Sequence, residues 1–296
     1  MTPFGDRPPC LLSIAGSDSG GGAGIQADLK AFARCGVHGM TALTAITAQN
    51  TVGVAAVEPI SGEMIAAQVG AVAEDIGVDA VKIGMLGSVE AVEAVAAALD
   101  LVGGAPVVLD PVMVAESGAT LSDDPARRAL AELLVPRAAV VTPNVAEARL
   151  LARTRSAAGA EPHEPATDAA SIDEATALAE AAHGVGPAAV VVTGGHVTEA
   201  ADTFFDGSTL KRIPGAREPA DATHGSGCTH SSALAAHLAL GLPPLEAARR
   251  AKAIAAEAVR EGLRGVGAGA GPVNALGARV PPAAAPRRAG ADGALT

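Results

Sequence analysis

Short apolar runs alternate along this chain with longer stretches in which apolar residues recur at helical spacing. The runs Leu11 to Ala15, Met40 to Thr47, Ala80 to Met85, Pro106 to Leu109, Ala139 to Thr142 and Ala188 to Thr193 predict strands. Several are apolar on consecutive residues, as strands covered on both faces are. Between them lie helices with readable starts: Asp124 with Pro125 at the first helical position, and Ser171 with Glu174 three residues on as a capping box. Gly184 supplies a stop for the second. This alternation predicts βαβ units on a mostly parallel central sheet, an α/β protein of three α/β/α layers. Asp202 to Ile213 reads differently, as a hairpin around Asp206-Gly207 at an edge of the sheet. Arg153 to Ala170 and the tail from about Gly277 predict unstructured chain, which leaves one domain over about residues 1–276.

Composition sharpens this. Of 296 residues 49% are hydrophobic and 18% charged, enough for a sizeable core. There is no Trp or Tyr, only Phe4, Phe32, Phe204 and Phe205, so the core must come from Ala, Val, Leu, Ile and Met. Modules that stack nucleic-acid bases on aromatic platforms are excluded by the same shortage. A net charge of −11 removes general attraction to nucleic acid or an anionic membrane, so a phosphate-bearing ligand must be held locally. Cys10, Cys35 and Cys228 form neither a disulfide framework nor a zinc motif. The N-terminus lacks a signal-peptide pattern and no run of 18 apolar residues occurs, so a cytoplasmic protein is expected.

In an open parallel sheet, ligands bind at the carboxyl ends of the strands. After the first strand comes Gly16-Ser17-Asp18-Ser19-Gly20-Gly21-Gly22-Ala23-Gly24, five glycines in nine residues that let backbone amides crowd a ligand ahead of a helix start. Gly16 to Gly20 also matches a nucleophile elbow with Asp18 in the middle, which leaves open a hydrolase with an aspartate nucleophile, or a plain flexible turn. Near the other end, Thr223-His224-Gly225-Ser226-Gly227-Cys228-Thr229 precedes the helix Ser231 to Leu240. The amides of Ser226, Gly227 and Cys228 can stabilise developing negative charge there, and the helix dipole should lower the pKa of the Cys228 thiol. The alternative for Cys228 is a small space-filling residue. Asp110, Asn144 and Glu147 follow middle strands, and carboxylates so placed suit Mg²⁺ unless they merely cap helices. The histidines form no metal-binding pair, although His224 lies in the anion loop. A glycine loop, carboxylates and an anion-binding helix start are the parts that phosphoryl transfer from a nucleotide requires.

The runs Ala15 to Lys30, Thr47-Ala48-Gln49-Asn50-Thr51, Lys82-Ile83-Gly84-Met85-Leu86, Leu109-Asp110-Pro111-Val112-Met113, Thr142-Pro143-Asn144 and Thr223 to Thr229 resemble the hydroxymethylpyrimidine/phosphomethylpyrimidine kinases of thiamine biosynthesis, in order from about Leu11 to Val273. The resemblance implies a ribokinase-like fold. It also implies two ATP-dependent phosphorylations of 4-amino-5-hydroxymethyl-2-methylpyrimidine, first of the alcohol and then of the monophosphate, with Mg²⁺. Carried over by motif, Gln49 reads the aminopyrimidine with Gly16, Asp28, Met85 and Val112 around it. Gly225, Ser226 and Gly227 form the anion hole, with Cys228 as the candidate base. Asn144, Thr193 and Gly195 fall to the nucleotide, and Asp110 and Glu147 to the metal. Where the family usually has Lys before Gly-Gly-His this chain has Thr193, a lost point charge for which Lys82 or the metal could compensate. The resemblance also suggests a homodimer. A pyridoxal kinase-like vitamin kinase and a pyrimidine-binding protein with impaired catalysis are the alternatives it leaves.

Overall fold

The computed structural model describes residues 7–113, 121–154, 171–196, 200–218 and 221–278. Most of the stretch from Arg153 to Ala170, and the tail beyond residue 278, lie outside them. Among the described residues, nine strands form one sheet: β1 (Cys10–Asp18), β2 (His38–Asn50), β3 (Gly53–Pro59), β4 (Ala80–Ile83), β5 (Val107–Leu109), β6 (Val140–Val141), β7 (Val190–Val192), β8 (Asp202–Phe205) and β9 (Leu210–Ile213). Its order is β3-β2-β1-β4-β5-β6-β7-β8-β9. The six strands from β2 through β1 and β4 to β7 are parallel, while β3, β8 and β9 pair antiparallel. These six are the six read from the apolar runs, and the hairpin β8–β9 lies at the edge as expected. The exception is β3, which pairs Gly53 with Asn50 across a tight turn. Its residues are half-buried or exposed throughout, so no buried face marks it as a strand in the sequence.

Helices cover both faces. On one lie α2 (Gly62–Asp75), α3 (Val89–Ala98), α4 (Asp124–Leu133), α5 (Val145–Thr154) and α6 (Ile172–His183). On the other lie α1 (Gly24–Arg34), α7 (Ser226–Ala239) and α8 (Pro244–Arg260). Strand alternation divides the core accordingly: Leu12, Ile14, Val81 and Ile83 face the first layer, while Leu11, Ala80 and Val108 face the second. Ala233, Ala235, Ala236 and Ala239 of α7 meet Ala247, Ala248 and Ala251 of α8, all buried. The core is mostly aliphatic, but Phe32 and Phe204 are among its largest buried side chains.

Helix starts needed small corrections. Asp123 rather than Asp124 caps α4, accepting from the Ala126 amide at 2.8 Å. Ser171 caps α6 through the Glu174 amide at 3.1 Å, but the Glu174 carboxylate pairs with Arg149 of α5 at 2.6 Å instead of closing a box. The late helix begins at Ser226, five residues before Ser231, because Gly225 already caps it.

Candidate active site

The strand order reverses at β1, which has β2 on one side and β4 on the other, and the crevice at such a switch point is where ligands sit. Gly16 ends the straight part of β1 there. A Cβ on it would lie 2.5 Å from the Met85 methyl, so the two residues expected to share a pocket do touch.

Asp18 organises the loop that follows. Its side chain is buried, and its carboxylate accepts from the amides of Gly20 at 2.8 Å, Gly22 at 3.0 Å and Ala23 at 2.8 Å. His224 Nε2 lies 2.9 Å from the same group. Burial would push this carboxyl up, but the His224 and backbone hydrogen bonds outweigh it and hold Asp18 below the ordinary range. A carboxylate so engaged is not an exposed nucleophile, and the elbow reading is set aside on that ground.

The His224 contact joins this loop to the anion loop, and glycines allow the fit. Gly225 has φ +88°, and a Cβ there would collide with the Gly22 carbonyl, while one on Gly22 would collide with the His224 ring. The Cys228 thiol does not have the lowered pKa that a helix start suggests. Burial pushes it up to about 12, with Lys82 pulling the other way and the carboxylates of Asp28 and Asp110 adding to the rise.

Asp28 is also corrected. It is fully buried on α1, and its oxygens accept from Lys82 Nζ at 2.8 and 2.9 Å, Ser13 Oγ at 2.6 Å and Ser232 Oγ at 2.7 Å. With no exposed surface, it is held inside the fold by these partners. Lys82, equally buried, is spent on this pair and does not reach outward to replace a lysine at position 193.

Asp110 and Glu147 stand at neighbouring strand ends, both buried. Asp110 accepts from Ser231 Oγ at 3.0 Å, and burial raises its pKa although Lys82 opposes this. Glu147 caps α5 reciprocally: its carboxylate accepts from the Asn144 amide at 2.9 Å, and Asn144 Oδ1 accepts from the Glu147 amide at 2.9 Å. Burial, then the charge of Asp110, pushes Glu147 up to about 8. So Glu147 is a cap, yet its ionised form is one that its surroundings oppose and that a cation would stabilise. Oxygen donors of this number suit Mg²⁺, which takes one or two carboxylates and completes its shell with water and phosphate oxygens. Among the described residues, no group of three or more His, Cys, Asp or Glu is placed to hold a metal unaided.

This shift has a testable sign. A carboxyl whose folded pKa is raised makes the folded state bind a proton that the unfolded state has released, so its contribution to stability falls between pH 4.5 and about 8. Glu147→Gln is therefore expected to exceed the wild type in stability at pH 8.5 by about 2–4 kcal/mol and to match it at pH 4.5. Mg²⁺ should narrow the gap at pH 8.5. Urea unfolding at both pH values checks this, and an equal gap at both would refute it.

Gln49 closes the other side. Its backbone amide donates to Ser19 Oγ at 2.9 Å, Ser19 Oγ donates back to the Gln49 carbonyl at 2.7 Å, and Thr47 Oγ1 donates to its side-chain oxygen at 3.2 Å. A cleft of about 310 Å³ is lined by Gln49 to Val52, His224, Gly269 and Ala270. Val112 follows β5 two residues after Asp110 and is half-buried. Asn144 and Thr193 bridge in parallel, and the Thr193 amide donates to the Pro143 carbonyl at 2.9 Å, which sets Gly195 exposed at the next turn. Sequence reasoning left out His224 as a clamp and Asp202 altogether. The spacing of 206 residues between Asp18 and His224 carries no local signal.

The family model described as phosphomethylpyrimidine kinase matches residues 18–274. A hydroxymethylpyrimidine/phosphomethylpyrimidine kinase of Rhizobium meliloti is 50% identical over 266 residues, covering 89% of this chain and 95% of that protein. The crystal structure of a phosphomethylpyrimidine kinase from Clostridium difficile superposes with TM-score 0.70 at 38% identity, covering 85% of this chain and 99% of that one. The Staphylococcus aureus pyridoxal kinase in complex with AMP-PCP and pyridoxal gives TM-score 0.77 at 31% identity, covering 91% and 94%. The fold is thus that of the ribokinase-like vitamin kinases, and the chain belongs to the phosphomethylpyrimidine kinase family.

Proposed function

We propose that this kinase transfers the γ-phosphate of ATP to the hydroxymethyl oxygen of 4-amino-5-hydroxymethyl-2-methylpyrimidine and then phosphorylates the resulting monophosphate, in thiamine biosynthesis. The observation that carries the reading is the face-to-face locking of the glycine-rich loop and the anion loop through Asp18 and His224. Gln49 and His224 line one cleft, and α7 starts two residues after His224, which supports pairing a pyrimidine-reading amide with an anion-binding helix start.

In the first step the alcohol oxygen forms a bond to the γ-phosphorus, the bond from that phosphorus to the β–γ bridging oxygen breaks, and ADP leaves. In the second, an oxygen of the monophosphate attacks in the same way. The Gln49 carboxamide can donate to and accept from the aminopyrimidine edge. Gly16, Met85 and Val112 enclose the ring without aromatic stacking. The amides of Ser226, Gly227 and Cys228, with Gly225 as the turn, face the transferring phosphoryl group. Cys228 enters as a neutral thiol, so it orients the hydroxymethyl oxygen, whose proton passes late in a loose transition state to an oxygen of the transferred phosphoryl group. Asn144, Thr193 and Gly195 contact the nucleotide. Asp110 and Glu147 would hold Mg²⁺, which when bound neutralises phosphate charge. Action in the cytoplasm, as a homodimer, on small molecules and with neither nucleic-acid nor membrane partner belongs to the same reading. The net charge supports it, and no described helix is long and apolar enough to cross a membrane.

The test is mass spectrometry of the products formed from the pyrimidine alcohol, ATP and Mg²⁺. Both mono- and diphosphate are expected, with loss in Gln49→Ala, and no phosphorylated product from the wild type would overturn the assignment. Likeness to a pyridoxal kinase favours a second reading, activity on pyridoxal. Competition between the two alcohols in one assay compares them by kcat/KM.

A further inference from the structure

Behind the Thr193–Gly195 turn lies a buried charged cluster that none of the roles above uses. Asp202, the first residue of β8, is fully buried and sits level with the end of β7, since its neighbour Thr203 pairs with Val192. Its Oδ1 accepts from the Gly194 amide at 2.7 Å and from Lys252 Nζ of α8 at 2.6 Å. Its Oδ2 faces His230 Nε2 of α7 at 3.3 Å. Gly194 has no room for a side chain, because a Cβ would collide with the Ala201 backbone, whereas Gly195 opens to solvent. The turn is thus fixed from behind and free in front.

Stability alone is a weak reason for such a cluster, since burying an ion pair costs desolvation that the pairing roughly offsets. Its placement gives a better one. It ties the turn to α8 through Lys252 and faces His230 of α7, the helix whose first residues form the anion loop. We propose that Asp202 and Lys252 are positioning residues for the nucleotide: Asp202 holds the Gly194 amide, and with it the exposed face of the turn, while Lys252 keeps that carboxylate in place. The proposal rests on assigning the Thr193–Gly195 turn to ATP.

Steady-state kinetics with each substrate varied in turn tests it. Asp202→Ala and Lys252→Met are each expected to raise KM for ATP about tenfold, the effect of losing one hydrogen bond to a charged group. KM for the pyrimidine should stay within about twofold of wild type, and Lys252→Arg, which keeps the charge, should lie close to wild type for both. An unchanged KM for ATP, or an equal rise in both KM values, overturns the proposal. If Asp202→Ala does not fold, the Lys252 pair decides alone. Calorimetric titration of the wild type with ATP separates the two levels. Failure of the wild type to bind ATP would strike the reading of the turn itself, whereas tight binding untouched by the variants would strike only the positioning role.

Discussion

Lys82→Met is expected to cost about 3–5 kcal/mol of folding stability, the largest loss we foresee from one substitution. Lys82 and Asp28 are both fully buried, so removing the ammonium leaves a carboxylate in the interior with Ser13 and Ser232 as its donors among the described residues. Burial works against the Lys82 charge, but Asp28, Cys228 and Asp110 together hold its pKa above the ordinary lysine range. A cation with a raised folded pKa contributes stability below its unfolded pKa and loses it only as pH rises through the folded value. The share of the gap that Lys82 itself contributes should therefore stay flat through neutral pH and be lost on the alkaline side. Lys82→Met/Asp28→Leu removes both charges and should recover much of the loss, because replacing a buried pair by apolar residues is often neutral. Urea unfolding of the two variants measures this. A single variant within 1 kcal/mol of wild type, or a double no better than the single, would contradict it.

The largest kinetic effect should come from Cys228→Ala, with kcat lowered about 10²-fold or more and KM for the pyrimidine changed less. The residue is half-buried in the first turn of α7, and its thiol feels the charges of Lys82, Asp28 and Asp110. With the thiol pushed up to about 12, it stays protonated across the working range of the enzyme. Cys228→Ser, which keeps a hydrogen-bonding group, should lose less than Cys228→Ala. Iodoacetamide should leave Cys228 unmodified at pH 8, because the thiolate is the reactive form. Activity of Cys228→Ala within threefold of wild type would remove the residue from the mechanism, and rapid alkylation would refute the raised pKa.

What the sequence disclosed and what it hid divide along a physical line. Apolar runs in β1, β2 and β4 to β7, and the Asp-Gly hairpin turn, are local signals whose consequences are local, and they read correctly. β3 hid because an exposed antiparallel edge strand buries no face to pattern. The glycine-rich loop and the Gly225–Cys228 turn announced themselves by composition. The partners that decide what each charged group does lie far along the chain: Lys82 is 54 residues from Asp28, and Lys252 is 50 from Asp202. That is why Asp18 could read as a nucleophile, Asp28 as a pocket residue and Cys228 as an acidic thiol. Each assignment turned on burial and on neighbours that only the folded sheet supplies.

The clasp between Asp18 and His224 has a consequence for how the enzyme comes into being. Its halves are 206 positions apart, so a chain emerging from the ribosome exposes the first loop long before the second exists. Until α7 docks, the glycines around Gly22 have nothing to close against and Asp18 lacks its imidazole. Catalytic competence then arrives in one late event and not by degrees. An amino-terminal fragment ending before His224 inherits all nine strands and lacks the anion loop that would complete the site.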